Sequence, residues 1–189
     1  GDPRKEVIAL GQTYFAIQTY RQEVADRFNQ LDEDSRRLVV RGDIKQWNRL
    51  LAEAARNAGV ITADEFAVFQ NAGYMGLYGG MTVDDIHRKK NLEVGQKILD
   101  YMGSTELIAN LFRISQTEEK LRKDSVNSAD TATAVHYKVG SEVREAIEKI
   151  GGTMPEDLPT PEKSIAQLEK EQLQRLKQQA LDGQLMLDE

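Results

Sequence analysis

The stretch DSRRLVVRGDIKQWNRLLAEAARNAG, residues 34–59, decides the fold class. At about 100° per residue, Val40, Ile44, Trp47, Leu51, Ala54 and Ala58 fall on one face of a helix. Gly59 then offers the usual left-handed stop. No run here alternates with the period of two that a strand requires. The reading extends outward because prolines stand only at positions 3, 155, 159 and 161. Proline removes a backbone donor and clashes inside a helix, so residues 4–154 are free to be helical throughout. The expected fold is all-α, an irregular bundle of about six to eight helices.

Punctuation residues place the other elements. A first helix is expected from about Pro3 to Asn29, with Pro3 in the first turn, where its missing N–H is harmless. Thr62-Ala63-Asp64-Glu65 has the form of a capping box that opens a short helix. Gly73, Gly76, Gly79 and Gly80 are read as breaking the pattern after it. Thr82-Val83-Asp84-Asp85 starts another short helix, with acids at its positive end. Ser104 is read as the cap of a helix reaching about Lys123, and Asn127 or Ser128 as the cap of one reaching about Ile150. Gly151-Gly152 ends that helix. We divide the chain into a helical core domain (1–152), a stiff connector TMPEDLPTP (153–161) and a C-terminal amphipathic helix (162–189). Thr160 and Pro161 should launch this polar last helix toward Leu181. Its narrow stripe of Ile165, Leu168, Leu173, Leu176 and Ala180 either docks on the body or pairs with a partner helix.

Composition removes several function classes. The 189 residues contain no cysteine, which excludes disulfides, thiol nucleophiles, iron–sulfur clusters and cysteine-ligated zinc. His87 and His136 are the only histidines and are far apart in sequence. No Glu-x-x-His spacing joins a carboxylate to either, so no metal or other cofactor is expected. No apolar run approaches the ~18 residues of a membrane span, and no signal peptide opens the chain, so a bacterial cytoplasmic location is expected. The net charge of −6 argues against a domain that simply coats DNA. The chain starts at Gly1-Asp2-Pro3 without a methionine, and a preceding segment is expected.

Charge is segregated along the chain. Arg37, Arg41, Lys45, Arg49 and Arg56 lie within an arc of about 120° on the second helix. Such a stripe is either a solvated outer face or a contact for phosphates or an acidic protein. Residues 1–90 hold 13 basic and 13 acidic side chains, so the second half carries the whole −6. Glu142, Glu145 and Glu148 share a helix face there, again either solvated or facing a basic partner. The glycine stretch FQNAGYMGLYGGMT, 69–82, lacks the Gly-Lys-Ser/Thr ending and preceding strand of a phosphate-binding loop. Its glycines are expected to be structural and its tyrosines to anchor a turn, with base stacking by Tyr74 and Tyr78 the sharper reading. Both histidines are read as surface residues. No catalytic constellation emerges, and no enzyme is expected.

Four long irregular strings carry a resemblance. GDPRKEVIALGQTYFAIQTYRQE (1–23), FAVFQNAGYMGLYGG (66–80), KILDYMGSTELIANLFRISQTEEKLRKDSVNS (97–128) and GGTMPEDLPTPEKSIAQLE (151–169) resemble the DNA-damage-inducible protein D family of bacteria. The last twenty residues do not match it. Members are longer at the N-terminus, where a region similar to phage antirepressor DNA-binding domains precedes a Gly-Asp-Pro. The resemblance implies a protein made under SOS control after DNA damage, with an accessory, non-enzymatic role in recombination and repair. It further implies action on the RecA filament or a single-stranded DNA–protein complex, with weak or no direct DNA binding by this part alone. Spacing favours packing roles for Tyr14, Ile17 and Gln18, and for Leu107, Asn110 and Leu111. The competing reading is the oligomerisation or effector part of a phage-antirepressor-like regulator, and homo-oligomers fit either. A nuclease ranks last.

Overall fold

The computed structural model describes residues 31–187, together with Thr19 and Gln22, and side chains through residue 183. Thr19 and Gln22 are helical and exposed. The remainder of the expected first helix, including Tyr14, Ile17 and Gln18, lies outside the described residues. The protein is all-α, with six α-helices among the described residues. They are α1 (Glu33–Asn57), α2 (Ala63–Leu77), α3 (Val83–Lys89), α4 (Ser104–Lys123), α5 (Ala129–Lys149) and α6 (Ile165–Leu187). Single 3₁₀ turns at Ile98–Tyr101 and Pro155–Asp157 interrupt the two longest connections.

Local chemistry sets most boundaries. Asp32 caps α1 by accepting from the Ser35 N–H, and Gly59 turns the chain away at φ +97°. Thr62 and Glu65 form the expected capping box on α2, and Thr82 and Asp85 form the one on α3. Ser128 caps α5. The apolar face of α1 is buried as read: Val40, Ile44, Leu51, Ala54 and Ala58 are all 6% exposed or less, and Trp47 is half-buried. Each large aliphatic side chain buried this way contributes about 1.5–3 kcal/mol.

Three boundaries differ from the reading. The helix after Thr62 runs through Gly73 and Gly76, because these residues face α5. A Cβ on Gly76 would lie 2.2 Å from the Tyr137 carbonyl oxygen, and one on Gly140 would lie 2.6 Å from that of Gly73. Glycine here permits two helix backbones to touch. Ser104 is the first residue of α4 and not its cap. Glu33, at the start of α1, accepts from the Ser104 N–H at 2.7 Å and from its hydroxyl at 2.8 Å, so the cap arrives from 71 residues away. α6 begins at Ile165 and not at Pro161. Ser164 and Gln167 make its capping box, with Gln167 N–H donating to the Ser164 hydroxyl and Ser164 N–H to the Gln167 amide oxygen.

Packing follows a simple plan. α2 lies along α5, α1 lies along α4, and α4 also contacts α5 and α2. α4 is therefore the central helix. Its Leu107, Leu111, Ile114 and Leu121 join Val40, Ile44 and Leu51 in one apolar core. Only the root of α6 belongs to this body, where Ile165 and Leu168 are 2% and 4% exposed.

Candidate functional site

Glu106, Asn110, Arg113 and Thr117 recur on α4 at steps of four, three and four residues, which makes one polar ridge. The ridge lies on the inward side of α4, and all four residues are fully buried. Their polar atoms must then find partners inside the protein. Lys90 donates to one Glu106 oxygen at 2.8 Å, and the Tyr78 hydroxyl donates to the other at 2.8 Å. The Asn110 amide donates to the Tyr78 hydroxyl at 3.0 Å, while its carbonyl oxygen accepts from Arg113 Nη2 at 3.0 Å. Arg113 Nη1 meets His136 Nε2 at 2.5 Å, and His136 Nδ1 lies 2.8 Å from the Phe69 carbonyl oxygen. The guanidinium also covers the Tyr74 ring, 4.5 Å from its centre.

Donor logic assigns the protons. A guanidinium only donates, so His136 Nε2 accepts and Nδ1 carries the hydrogen that goes to the Phe69 carbonyl. His136 is thus neutral, and burial together with the adjacent Arg113 charge pushes it well below the ordinary histidine range. Burial raises the Glu106 carboxyl, an effect that Lys90 opposes. Burial, and next the charge of Glu106, raises the Tyr78 phenol. Arg113 Nε is buried without a hydrogen-bond partner. The chain of groups from Lys90 to Phe69 joins α2, α4 and α5, and its side chains are buried. Its chemistry is that of a lock.

The basic stripe expected on α1 is not one exposed surface. Arg37 is fully buried, with Nε donating to the Met102 carbonyl at 2.9 Å and Nη2 to the Asp100 carbonyl at 3.1 Å. Arg41 is 8% exposed and pairs with the Asp100 carboxylate at 3.0 Å. These two arginines fasten the 98–102 turn to α1 and are withdrawn from any partner. Lys45 pairs with Glu169 of α6 at 3.0 Å. Arg49 and Arg56 remain exposed, Arg56 lying 6.0 Å from the centre of the Phe66 ring. On α5, Glu145 and Glu148 are exposed and Glu142 is half-buried.

One further expectation is corrected. His136 is no surface residue but the centre of the lock. Its signal was its place in the buried series Ala132, His136, Val139, Val143 and Ala146, at helical steps of four and three. Tyr74 and Tyr78 are buried and hydrogen-bonded or stacked within the protein, which removes them as base-stacking platforms. Leu107, Asn110 and Leu111 are buried together, as their spacing indicated. His87 is half-buried in the last turn of α3.

Among the described residues, no group of three or more His, Cys, Asp or Glu side chains is placed to hold a metal ion. No helix among them is long and apolar enough to cross a membrane. One cleft lies between α4, α5 and the 152–158 segment, lined by Ile108, Phe112, Val143, Ile147 and Leu158. Its volume of about 80 Å³ is well below that of an ordinary small-molecule site.

Residues 31–168 match the family model of the DinD C-terminal domain. The chain belongs to that family. It is 61% identical over 171 residues to DNA damage-inducible protein D of Escherichia coli strain K12, which covers 89% of this chain and 62% of that protein. The chain thus spans less than two thirds of the length of the curated relative it matches. No solved structure matches the fold. The family match takes in α1 to α5 with the whole polar lock and stops at Leu168, the last buried residue of α6 among the described residues.

Proposed function

We propose that this chain is the helical C-terminal part of a DNA-damage-inducible accessory protein of recombination and repair. It is made in the bacterial cytoplasm under SOS control and acts by binding and not by catalysis. Its partner is the RecA recombinase filament on single-stranded DNA. The relative's name supports the damage-inducible part of this reading. The observation that carries the binding role is the fate of the chemically capable residues. Glu106, Arg113 and His136 are fully buried and Tyr78 nearly so, and they are spent on one another. A site that must receive a substrate keeps such groups at the wall of a cleft. Exposed charge is left for contact: Arg49 and Arg56 on α1, and Glu145 and Glu148 on α5.

The test is binding of the labelled chain to RecA–single-stranded DNA filaments, with naked DNA and free RecA in parallel. Binding to the filament above both controls is the expected result. Equal binding to naked DNA would replace the filament with DNA itself as the partner. Absence of binding to all three would remove this part of the protein from the contact.

A further inference from the structure

We propose that the outer half of α6 is a self-association element, pairing antiparallel with the same segment of a second copy of this chain. The root of the helix is tied down by Ile165 and Leu168, by Glu169 with Lys45, and by Glu171 with Lys163. Beyond it, every residue from 172 to 183 is exposed. A helical stretch of about this length is marginal in water without tertiary packing, so a helix that leaves its body calls for a partner.

The exposed stretch has the pattern of a pairing seam. Leu173, Leu176, Ala180 and Gly183 follow steps of three, four and three, and the two leucines are 53% and 57% exposed. Gln172 and Gln179 flank the seam on one side with neutral side chains, and Lys177 flanks it on the other. Gly183 interrupts a helix interior, and a Cβ there would meet nothing within 4 Å, so the described residues give no reason for the glycine. A second copy does: with Ala180 at the crossing point, antiparallel pairing lays Leu176 of one copy over Gly183 of the other.

Charge selects the direction. At the root, Lys45 and Lys163 neutralise Glu169 and Glu171, and Arg175 lies toward Asp32 and Asp34 at the start of α1, which leaves Lys170 and Lys177. The outer half carries Asp182. Antiparallel pairing sets the basic root of each copy toward Asp182 of the other, and it opposes the two helix dipoles favourably. Parallel pairing would stack like charge on like charge. A contact of this size falls in the weak class, below about 1,200 Å² of total buried surface.

Sedimentation equilibrium of the full chain up to about 100 µM is the test, in the range that a weak interface requires. The expected result is a reversible monomer–dimer equilibrium that Leu173→Asp plus Leu176→Asp abolishes, with circular dichroism and melting temperature of the body retained. A strictly monomeric wild-type chain would overturn the proposal, as would a dimer that survives both substitutions; in either case something other than a second α6 covers these leucines. The cysteine-free sequence lets one introduced thiol report direction. Ala180→Cys should form disulfide-linked dimers on oxidation and Leu173→Cys should not. Equal cross-linking through position 173 would overturn the antiparallel arrangement.

Discussion

Arg113 and His136 share a hydrogen bond of 2.5 Å in the fully buried centre of the bundle, a guanidinium donating to a neutral imidazole. A second proton on His136 would remove the acceptor and set two buried cations side by side. Burial, then Arg113, holds the histidine below its ordinary value, while the Phe69 carbonyl acts the other way. The folded protein therefore binds fewer protons here than the unfolded chain.

The sign of the pH effect follows. The stability that depends on neutral His136 is complete above the unfolded value of about 6.5 and is lost as pH falls below it, by up to about 1.4 kcal/mol per pH unit. Glu106 has the opposite sign, since a raised carboxyl favours the folded state as pH falls toward its unfolded value. The informative comparison is therefore with His136→Gln, whose amide can accept from Arg113 and donate to Phe69 without titrating. Urea titrations at pH 7.5, 6.5 and 5.5 should show the wild-type chain losing about 1 kcal/mol more than the variant between the last two. Parallel losses would place the acid sensitivity elsewhere.

Glycine to alanine should change sign with position. In Gly140→Ala the new Cβ would meet the Gly73 carbonyl at 2.6 Å and the Leu77 nitrogen at 2.9 Å, both backbone atoms that cannot step aside. α2 and α5 must separate, which costs about 1–3 kcal/mol. In Gly42→Ala, inside α1, the Cβ meets nothing within 4 Å and helix propensity alone acts, for a gain approaching about 1 kcal/mol. Thermal melts of the two variants should move in opposite directions.

Periodicity and punctuation made most of this fold legible. The face of α1, the capping boxes at Thr62 and Thr82 and the Ser128 cap are local patterns, and local patterns survive folding. Gly73 and Gly76 misled because a glycine that breaks a helix and one that admits a neighbouring helix look alike until the neighbour is placed. Arg37 and Arg41 misled for a related reason. Their spacing marks one face of a helix, but whether that face meets water depends on where the 98–102 turn crosses it. The polar lock was partly visible as regular steps at Glu106, Asn110, Arg113 and Thr117. What the sequence could not supply was which side of α4 faces the interior.

The cap that Glu33 supplies to α4 should be separable from the rest of α1. Gly103, the N-cap of α4, has no side chain, so the Ser104 N–H depends on Glu33. Glu33→Ala should cost about 1–2 kcal/mol. Gly103 already has the extended backbone of a cap, at φ −71° and ψ 169°. Gly103→Ser in the Glu33→Ala background should therefore restore part of the loss through a local hydroxyl. A double-mutant cycle by chemical denaturation would read the coupling, and strict additivity would refute the cap.

The surviving basic surface gives the most direct test of filament contact. Reversing Arg41 would be misleading, since its pair with Asp100 is part of the body. Arg37→Ala should cost about 3 kcal/mol by orphaning the Met102 and Asp100 carbonyls, and loss of binding there would report unfolding. Arg49 and Arg56 are exposed and free of such duties. Arg49→Glu with Arg56→Glu should leave stability within about 0.5 kcal/mol of wild type. If α1 meets the filament through phosphates, the slope of log affinity against log salt should fall by about one per lost contact. If affinity falls while the salt slope is unchanged, the partner of these arginines is not a phosphate. Unaltered affinity in the folded variant would take α1 out of the interface and turn attention to Glu145 and Glu148, where reversal to lysine is the matching experiment.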